Sequence, residues 1–283
     1  TVFFGGGTPS VLEARQMTAV LEKIKGVFKL IPECEITLEM NPGTVTREKC
    51  KCYFEAGINR ISIGLQPPDD TLLHALGRIH TYEQFLHTYD DVRVAGFENV
   101  NIDLMSALPG QCLSGYCRDL EKVTKLSPEH ISAYSLIIEE GTPFFDKYND
   151  MCDLFPDEQE DRMMYEETKT ILKQFGYERY EISNYAKPGY ECKHNIVYWN
   201  CEEYLGLGLG SSSFLGGERF KNTCDLKGYV HVWQQGKGSL AQGFEKEILT
   251  RQMQMEEFMF MGLRMMQGVS ERRFEERFGE KLQ

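Results

Sequence analysis

Across residues 1–183, short apolar runs alternate with helical patterns, and this alternation constrains the fold more than any other feature of the chain. The runs lie at 1–4, 35–40, 60–66, 99–105, 129–136 and 177–183, each rich in β-branched or aromatic residues. Between them, Leu12, Val20, Leu21, Ile24 and Phe28 recur at helical spacing, and a helix over 47–56 ends at Gly57 as its C-cap. Thr81 and Gln84 have capping-box spacing and open a helix to Gly96; further helices run to about Leu126 and from 157 to 175. Strands alternating with helices imply βαβ units, a parallel sheet and right-handed crossovers. The predicted class is therefore α/β.

Beyond residue 183 the pattern changes. The stretch 186–203 is aromatic and turn-rich, 206–210 is glycine-rich and reads as flexible, and a Met-rich helix is expected from about Lys246. Its Met253, Phe258, Phe260, Leu263 and Met266 read as core positions. A further helix follows Gly268. We divide the chain into 1–183, 184–245 and 246–283.

A net charge of −12 argues against non-specific nucleic-acid binding, which needs clustered Lys and Arg. No apolar run approaches the ~20 residues a membrane helix requires. Residue 1 already lies in a strand pattern, so no signal peptide is expected, and a cytoplasmic location follows. The nine cysteines form no C-x-x-C pair and read as scattered reduced thiols. Cys50 and Cys52, two apart on a helix, do not share a face and make a poor metal pair.

Polar residues collect where the strands end. Gly5, Gly6 and Gly7 precede Thr8, Pro9 and Ser10, which suits either a backbone cradle for a polar ligand group or a tight β–α turn. Glu39 ends the second run, Gln66 follows the third, and Asp103 ends the fourth. Ligands of parallel α/β sheets sit outside the strands' carboxyl ends. A carboxylate there is costly unless paired or ligand-bound, and Arg78 is the obvious counter-charge. The alternatives are a ligand site and a structural ion-pair network.

Several spaced motifs carry a family resemblance over nearly the whole chain. Phe4-Gly-Gly-Gly-Thr-Pro9, Glu39-x-Asn-Pro42, Gly57-x-Asn-Arg-x-Ser-x-Gly64, Leu76-Gly-Arg-x-His80, Asn101-Ile-Asp-Leu-Met105 and Leu108-Pro-Gly-Gln111 resemble radical S-adenosylmethionine (SAM) proteins. The group concerned is that of the oxygen-independent coproporphyrinogen III oxidases. The resemblance implies a partial (β/α)₆ barrel, here without its first strand, followed by an α+β extension and the start of a helical C-terminal domain. It also implies SAM and a [4Fe-4S] cluster. Gly6, Gly7, Thr8, Glu39, Gln66, Arg78 and Asp103 match the family's SAM contacts, as does Ile137 on the nucleoside side; His80 is expected to shape the same pocket. The family's C-x-x-x-C-x-x-C cluster motif is absent, so the chain reads as a fragment whose cluster ligands lie upstream of Thr1. Pro67-Pro68 is a second departure, after Gln66.

The second half resembles the haem-chaperone (HemW) branch, through Tyr180-Glu-Ile-Ser-Asn-Tyr-Ala-Lys-Pro-Gly189 and His194-Asn-Ile-Val-Tyr-Trp199. By that resemblance His194 contacts haem and is a possible iron ligand, with Tyr198 and Trp199 packing against the ring. The bland reading is a hydrogen-bonded His194 with Tyr198 and Trp199 in a core. His74, His87, His130 and His231 read as surface or structural positions. The implied function is binding of haem and its transfer to an acceptor protein. The alternatives are oxidative decarboxylation of coproporphyrinogen III and a cofactor-free scaffold binding a small anion.

Overall fold

A computed structural model of the protein describes residues 1–236 and 245–282. The chain forms two compact units, Thr1–Cys192 and Lys193–Gln283.

The first unit follows the alternation: β1 (Val2–Phe4), α1 (Ala14–Val27), β2 (Ile36–Met40), α2 (Arg47–Ala56), β3 (Arg60–Gly64), α3 (Asp70–Ala75), α4 (Tyr82–Val94), β4 (Val100–Ser106), α5 (Leu113–Thr124), β5 (His130–Ser135), α6 (Pro143–Tyr148), α7 (Glu158–Gln174), β6 (Glu178–Arg179) and β7 (Asn184–Ala186). Strands β1 to β5 pair in sequence order and in parallel. Side chains alternate across a strand, so each strand shows one face to the helices and one to the opposite side. Ile36, Leu38, Met40, Ile61, Ile63, Val100, Ile102, Leu104 and Ile131 enter the buried core, with Met17 and Leu21 of α1 and Tyr53 of α2. Each such side chain stabilises the fold by about 1.5–3 kcal/mol. The expected helix face after β1 is therefore partly shifted: Leu21 is buried, whereas Leu12, Val20 and Phe28 are exposed.

The opposite face is polar. The register sets Thr37 beside Arg60, Glu39 beside Ser62, and Ser62 beside Asn101. It also sets Gly64 beside Asp103, Asn101 beside His130, and Asp103 beside Ser132. This strand register, not chain proximity, positions the site.

Three elements differ from expectation. The run at 177–183 is not one strand: Glu178–Arg179 forms β6, the chain turns, and β7 returns antiparallel to both β5 and β6. The turn folds around Glu181, fully buried, whose carboxylate accepts from the Ser183 amide at 3.3 Å and from the Asn184 side-chain amide. Collecting those donors offsets the cost of burying the carboxylate and breaks the strand. The aromatic stretch after 186 contains a helix, α8 (Lys193–Trp199). Finally, Lys246 lies in a strand, and the Met-rich helix starts only after the Thr250 N-cap, whose hydroxyl accepts from the Met253 amide.

In the second unit, α8 is followed by β8 (Ser212–Leu215), β9 (Glu218–Lys221), α9 (Leu226–Gln234), β10 (Glu245–Ile248), α10 (Arg251–Gly262) and α11 (Glu271–Phe278). The three strands form an antiparallel sheet in the order β10-β9-β8. Phe258, Phe274 and Phe278 form a small buried core, with Met255 and Met259 against it. Arg219 joins β9 to α10 by a two-pronged pair with Glu257 at 2.9 and 2.8 Å. The glycine-rich 206–210 stretch, expected to be flexible, is tied by Asn222, whose Nδ2 donates to Gly208 O at 2.8 Å and Ser211 Oγ at 2.9 Å. Part of the 184–245 extension, residues 237–244, lies outside the described residues.

Candidate functional site: a strand-end cleft and a histidine helix

The carboxyl ends of β1 to β4 surround an open cleft lined by Gly7, Thr8, Glu39, Asn41, Ser62, Gly64, Gln66, Arg78 and Asp103. Six of the expected SAM contacts therefore come together here from positions spread over almost a hundred residues. Gly6 adjoins the cleft, and its backbone hydrogen bond to Glu39 favours the ionised carboxylate. The glycines have different reasons. Gly6 takes φ +89°, a left-handed value that disfavours side chains. A Cβ on Gly64 would stand 3.1 Å from Asn41 Oδ1 and 3.4 Å from Gln66 Nε2, inside the cleft.

Glu39 is pushed up to about 7, first by burial and then by the nearby Asp103 charge. Burial also raises Asp103, opposed by hydrogen bonds from Asn101, Ser132 and Ser62 and by the Arg60 charge. Two carboxylates sharing one low-dielectric mouth raise each other's proton affinity. Arg78 is not their counter-ion. It lines the same cleft, but its Nη1 donates to Asn41 Oδ1 at 3.3 Å, and among the described residues no carboxylate lies within ion-pair distance. The buried positive charge acting on Asp103 is Arg60, only 2% exposed, at the start of β3. Arg60 was missed because it sits at the strand's opposite end in sequence; its inward register position was the available signal.

Asn41 was also missed as a site residue, although its motif was noted. Its Nδ2 donates to Thr8 Oγ1 at 2.9 Å and its Oδ1 receives Arg78, so it joins three parts of the cleft wall. Gln66 is buried at φ +68°, a strained conformation for a residue with a side chain. Its amide donates to Asp103 O at 2.8 Å, and its Oε1 accepts from the Tyr134 hydroxyl at 3.4 Å. His80, expected to shape the pocket, is not among the lining residues; its Nε2 stands 3.4 Å from Leu65 O, next to Gln66 in the chain. Ile137 does not line the cleft; it follows β5 and is 79% exposed.

In the second unit, His194, Tyr198 and Trp199 lie on α8. His194 and Tyr198 are one turn apart, with His194 Nε2 at 3.0 Å from the Tyr198 hydroxyl and the rings edge-on at 5.0 Å. Tyr198 packs in turn against Tyr204 at 4.7 Å. Trp199 faces elsewhere: the Arg264 guanidinium stands 5.4 Å from its ring and 4.4 Å from that of Phe260. Its indole Nε1 is buried, with no hydrogen-bond acceptor among the described residues. The i, i+4 spacing of His194 and Tyr198 was the unread signal for this helix.

The first unit's parallel sheet, with its polar cleft at the strand ends, is the architecture of the radical SAM superfamily, whose profile matches residues 1–123; the HemN C-terminal domain profile matches 249–283. The chain is 40% identical over 278 residues to "Heme chaperone HemW" of Lactococcus lactis, covering 98% of this chain and 72% of that protein. It is 37% identical over 286 residues to "Heme chaperone HemW" of Bacillus subtilis, covering 100% of this chain and 74% of the relative. The chain belongs to the HemW family. Its backbone superimposes on coproporphyrinogen III oxidase (HemN) from Escherichia coli with TM-score 0.82, at 22% identity, over 98% of this chain and 66% of that one; this is a likeness of fold.

The radical SAM family implies SAM and a [4Fe-4S] cluster. The cleft fits SAM. It offers a guanidinium for a carboxylate, two carboxylates for an ammonium or ribose hydroxyls, and a wall where a Cβ on Gly64 would crowd Asn41 and Gln66. The cluster has no such fit, because no group of three or more His, Cys, Asp or Glu among the described residues could hold a metal ion. The eight described cysteine side chains are free thiols, with Cys50 buried and Cys52 exposed as their helix spacing requires.

Proposed function

We propose that this protein binds haem at α8 and passes it to an acceptor protein, and that it binds SAM in the strand-end cleft of its first unit. The observation carrying the haem reading is His194. Its Nε2 meets a tyrosine hydroxyl, a partner that can rotate away and leave the imidazole lone pair to iron. Relatives named heme chaperones at 40% and 37% identity support the same reading. A cytoplasmic site of action belongs to it; no helix among the described residues is long and apolar enough to cross a membrane.

In the cleft, Arg78 would pair with the SAM carboxylate, held in place by Asn41. Glu39 and Asp103 would accept from the ammonium and the ribose, and the Gly6–Gly7 backbone would let the methionine end approach closely. SAM, when bound, supplies an activated sulfonium. The chain's own part is to orient it and to keep Gln66 and the two carboxylates fixed around it.

The test uses the full-length reading frame, prepared anaerobically and titrated with haem while the Soret band is followed. Saturable one-to-one binding that weakens in His194→Ala, with no decarboxylation of coproporphyrinogen III on adding SAM, is the expected result. Binding untouched by His194→Ala removes His194 from the site. No specific haem binding, together with propionate decarboxylation, overturns the chaperone reading in favour of the oxidase.

A further inference from the structure

A hydrogen-bond chain runs inside the first unit from the end of that unit to the cleft, and its direction can be worked out link by link. The Asp103 Oδ1 acceptor lies 2.7 Å from Asn101 Nδ2, and the same nitrogen donates to Ser62 Oγ at 2.8 Å. The opposite amide orientation would set an oxygen against the carboxylate, so Asn101 Oδ1 must point away. That oxygen accepts from Ser132 Oγ at 3.2 Å and faces His130 Nδ1 at 2.6 Å. The proton of that contact is therefore on Nδ1. His130 is fully buried, and burial together with the Arg60 charge holds its ring neutral. Its Nε2 is then a bare acceptor, and the Tyr180 hydroxyl donates to it at 2.8 Å. The Tyr180 oxygen accepts in turn from the Cys192 amide at 3.2 Å.

Every donor in this series points the same way, from Cys192 through Tyr180, His130 and Asn101 to Asp103. Hydrogen bonds aligned head to tail polarise one another and rigidify the groups they join. Asp103 is the one member that lines the cleft. Its Oδ1 accepts from Asn101 at 2.7 Å, while Oδ2 stands at the longer distance of 3.4 Å from Ser62 Oγ.

We infer that His130 is a positioning residue for ligand binding in the cleft: as the Nδ1–H tautomer, with its Nε2 capped by the Tyr180 hydroxyl, it locks Asn101 and so fixes Asp103 with Oδ2 directed to the ligand. The inference rests on the reading of the cleft as a SAM site. It gives a role to a histidine that its sequence context marked only as surface or structural. It also ties the cleft to the chain segment that ends at Cys192, immediately before the HemW-type helix begins in sequence.

Two measurements on the full-length protein test it. The first is the tautomer of His130, read from ring nitrogen and carbon shifts of isotope-labelled histidine. The Nδ1–H form is expected; the Nε2–H form overturns the chain whatever SAM does. The second is the SAM dissociation constant of the wild type, His130→Leu and His130→Asn. His130→Leu should weaken binding about 10-fold, and His130→Asn, which keeps a donor near Nδ1, should recover to within about 3-fold of wild type. Equal affinities in all three overturn the positioning role. Should His130→Leu not fold, Tyr180→Phe takes its place, with an expected loss of about 2- to 3-fold in SAM affinity while Asn101 Oδ1 keeps the proton on Nδ1; unchanged affinity overturns the inference. A wild type that binds no SAM sinks the reading of the cleft itself, and the tautomer then decides the hydrogen-bond chain alone.

Discussion

The strand-end cleft and the α8 helix are built in opposite ways. The cleft draws Thr8, Glu39, Gln66, Arg78 and Asp103 from four strand ends and the loops after them. On α8, His194 and Tyr198 meet across a single turn. In the cleft, like charges face each other, and Arg78 and Glu39 form no ion pair among the described residues. On α8 a hydroxyl answers an imidazole and aromatic rings pack edge to face. A site assembled by sheet register depends on residues far from the ligand, whereas a site within one helical turn depends mainly on itself.

That contrast can be broken most directly by stability measurements. Asp103→Leu removes the acceptor of Asn101 Nδ2 and Ser62 Oγ in a buried polar cluster and should cost about 1–3 kcal/mol in urea unfolding, with loss of SAM binding. His194→Ala should change stability by no more than about 0.5 kcal/mol while weakening haem binding. Equal costs for both would mean that α8 is no more self-contained than the cleft.

The next effect concerns pH. Glu39 has a folded-state pKa of about 7 against an ordinary 4.5. A raised carboxyl contributes stability that is fully present below its unfolded value and is lost as pH rises through its folded value. The free protein should therefore lose stability between those two values as pH increases. A ligand whose ammonium or hydroxyls need the carboxylate behaves the other way. SAM affinity should tighten by about 10-fold from pH ~6 to ~8, and Glu39→Gln should flatten both profiles. A pH-independent isotherm in the wild type would remove Glu39 from the site.

A smaller effect sharpens the local side of the comparison. Tyr198→Phe deletes the hydroxyl that occupies His194 Nε2, so haem affinity should rise about 3-fold, seen in the Soret titration. Weaker binding would instead make the Tyr198 hydroxyl a haem contact. Smallest of all, Trp199→Phe removes a buried indole N–H that has no acceptor among the described residues and should shift unfolding free energy by under about 1 kcal/mol. A large loss would show that Trp199 holds α8 to Phe260 and Arg264 as a core residue.

Legibility followed the range of the forces involved. The strands β2 to β5 were readable within a residue or two, because apolar alternation and Gly or Pro turns are local signals. Glu39 and Gln66 were readable because a parallel sheet collects its strand ends on one side; Asp103, expected to end its run, lies inside β4 and meets the cleft through its register with Gly64. The break at Glu181 was not, since it depends on a buried carboxylate gathering donors from its own turn. The charge acting on Asp103 was also misjudged: Arg78 is close in motif and type, but the positive charge that favours its ionised form is that of Arg60, which acts without a direct ion pair. Asn41, quoted only as part of a turn motif, became a bridge once Thr8 and Arg78 stood on either side of it.

The amino-acid sequence by itself determined the α/β class, the order of strands β1 to β5, the residues at the mouth of the sheet and the HemW-type motif on α8. Its apolar periodicities and turn residues act over a few positions, and the motifs are contiguous. Only the tertiary structure decided which charges face one another, that His130 is buried as a hydrogen-bond relay and not left on the surface, and that Tyr198 occupies the His194 nitrogen. Those outcomes depend on pairings between residues tens of positions apart, or on one rotamer among several. Distance, burial and donor direction then select among contacts that sequence spacing leaves equally open.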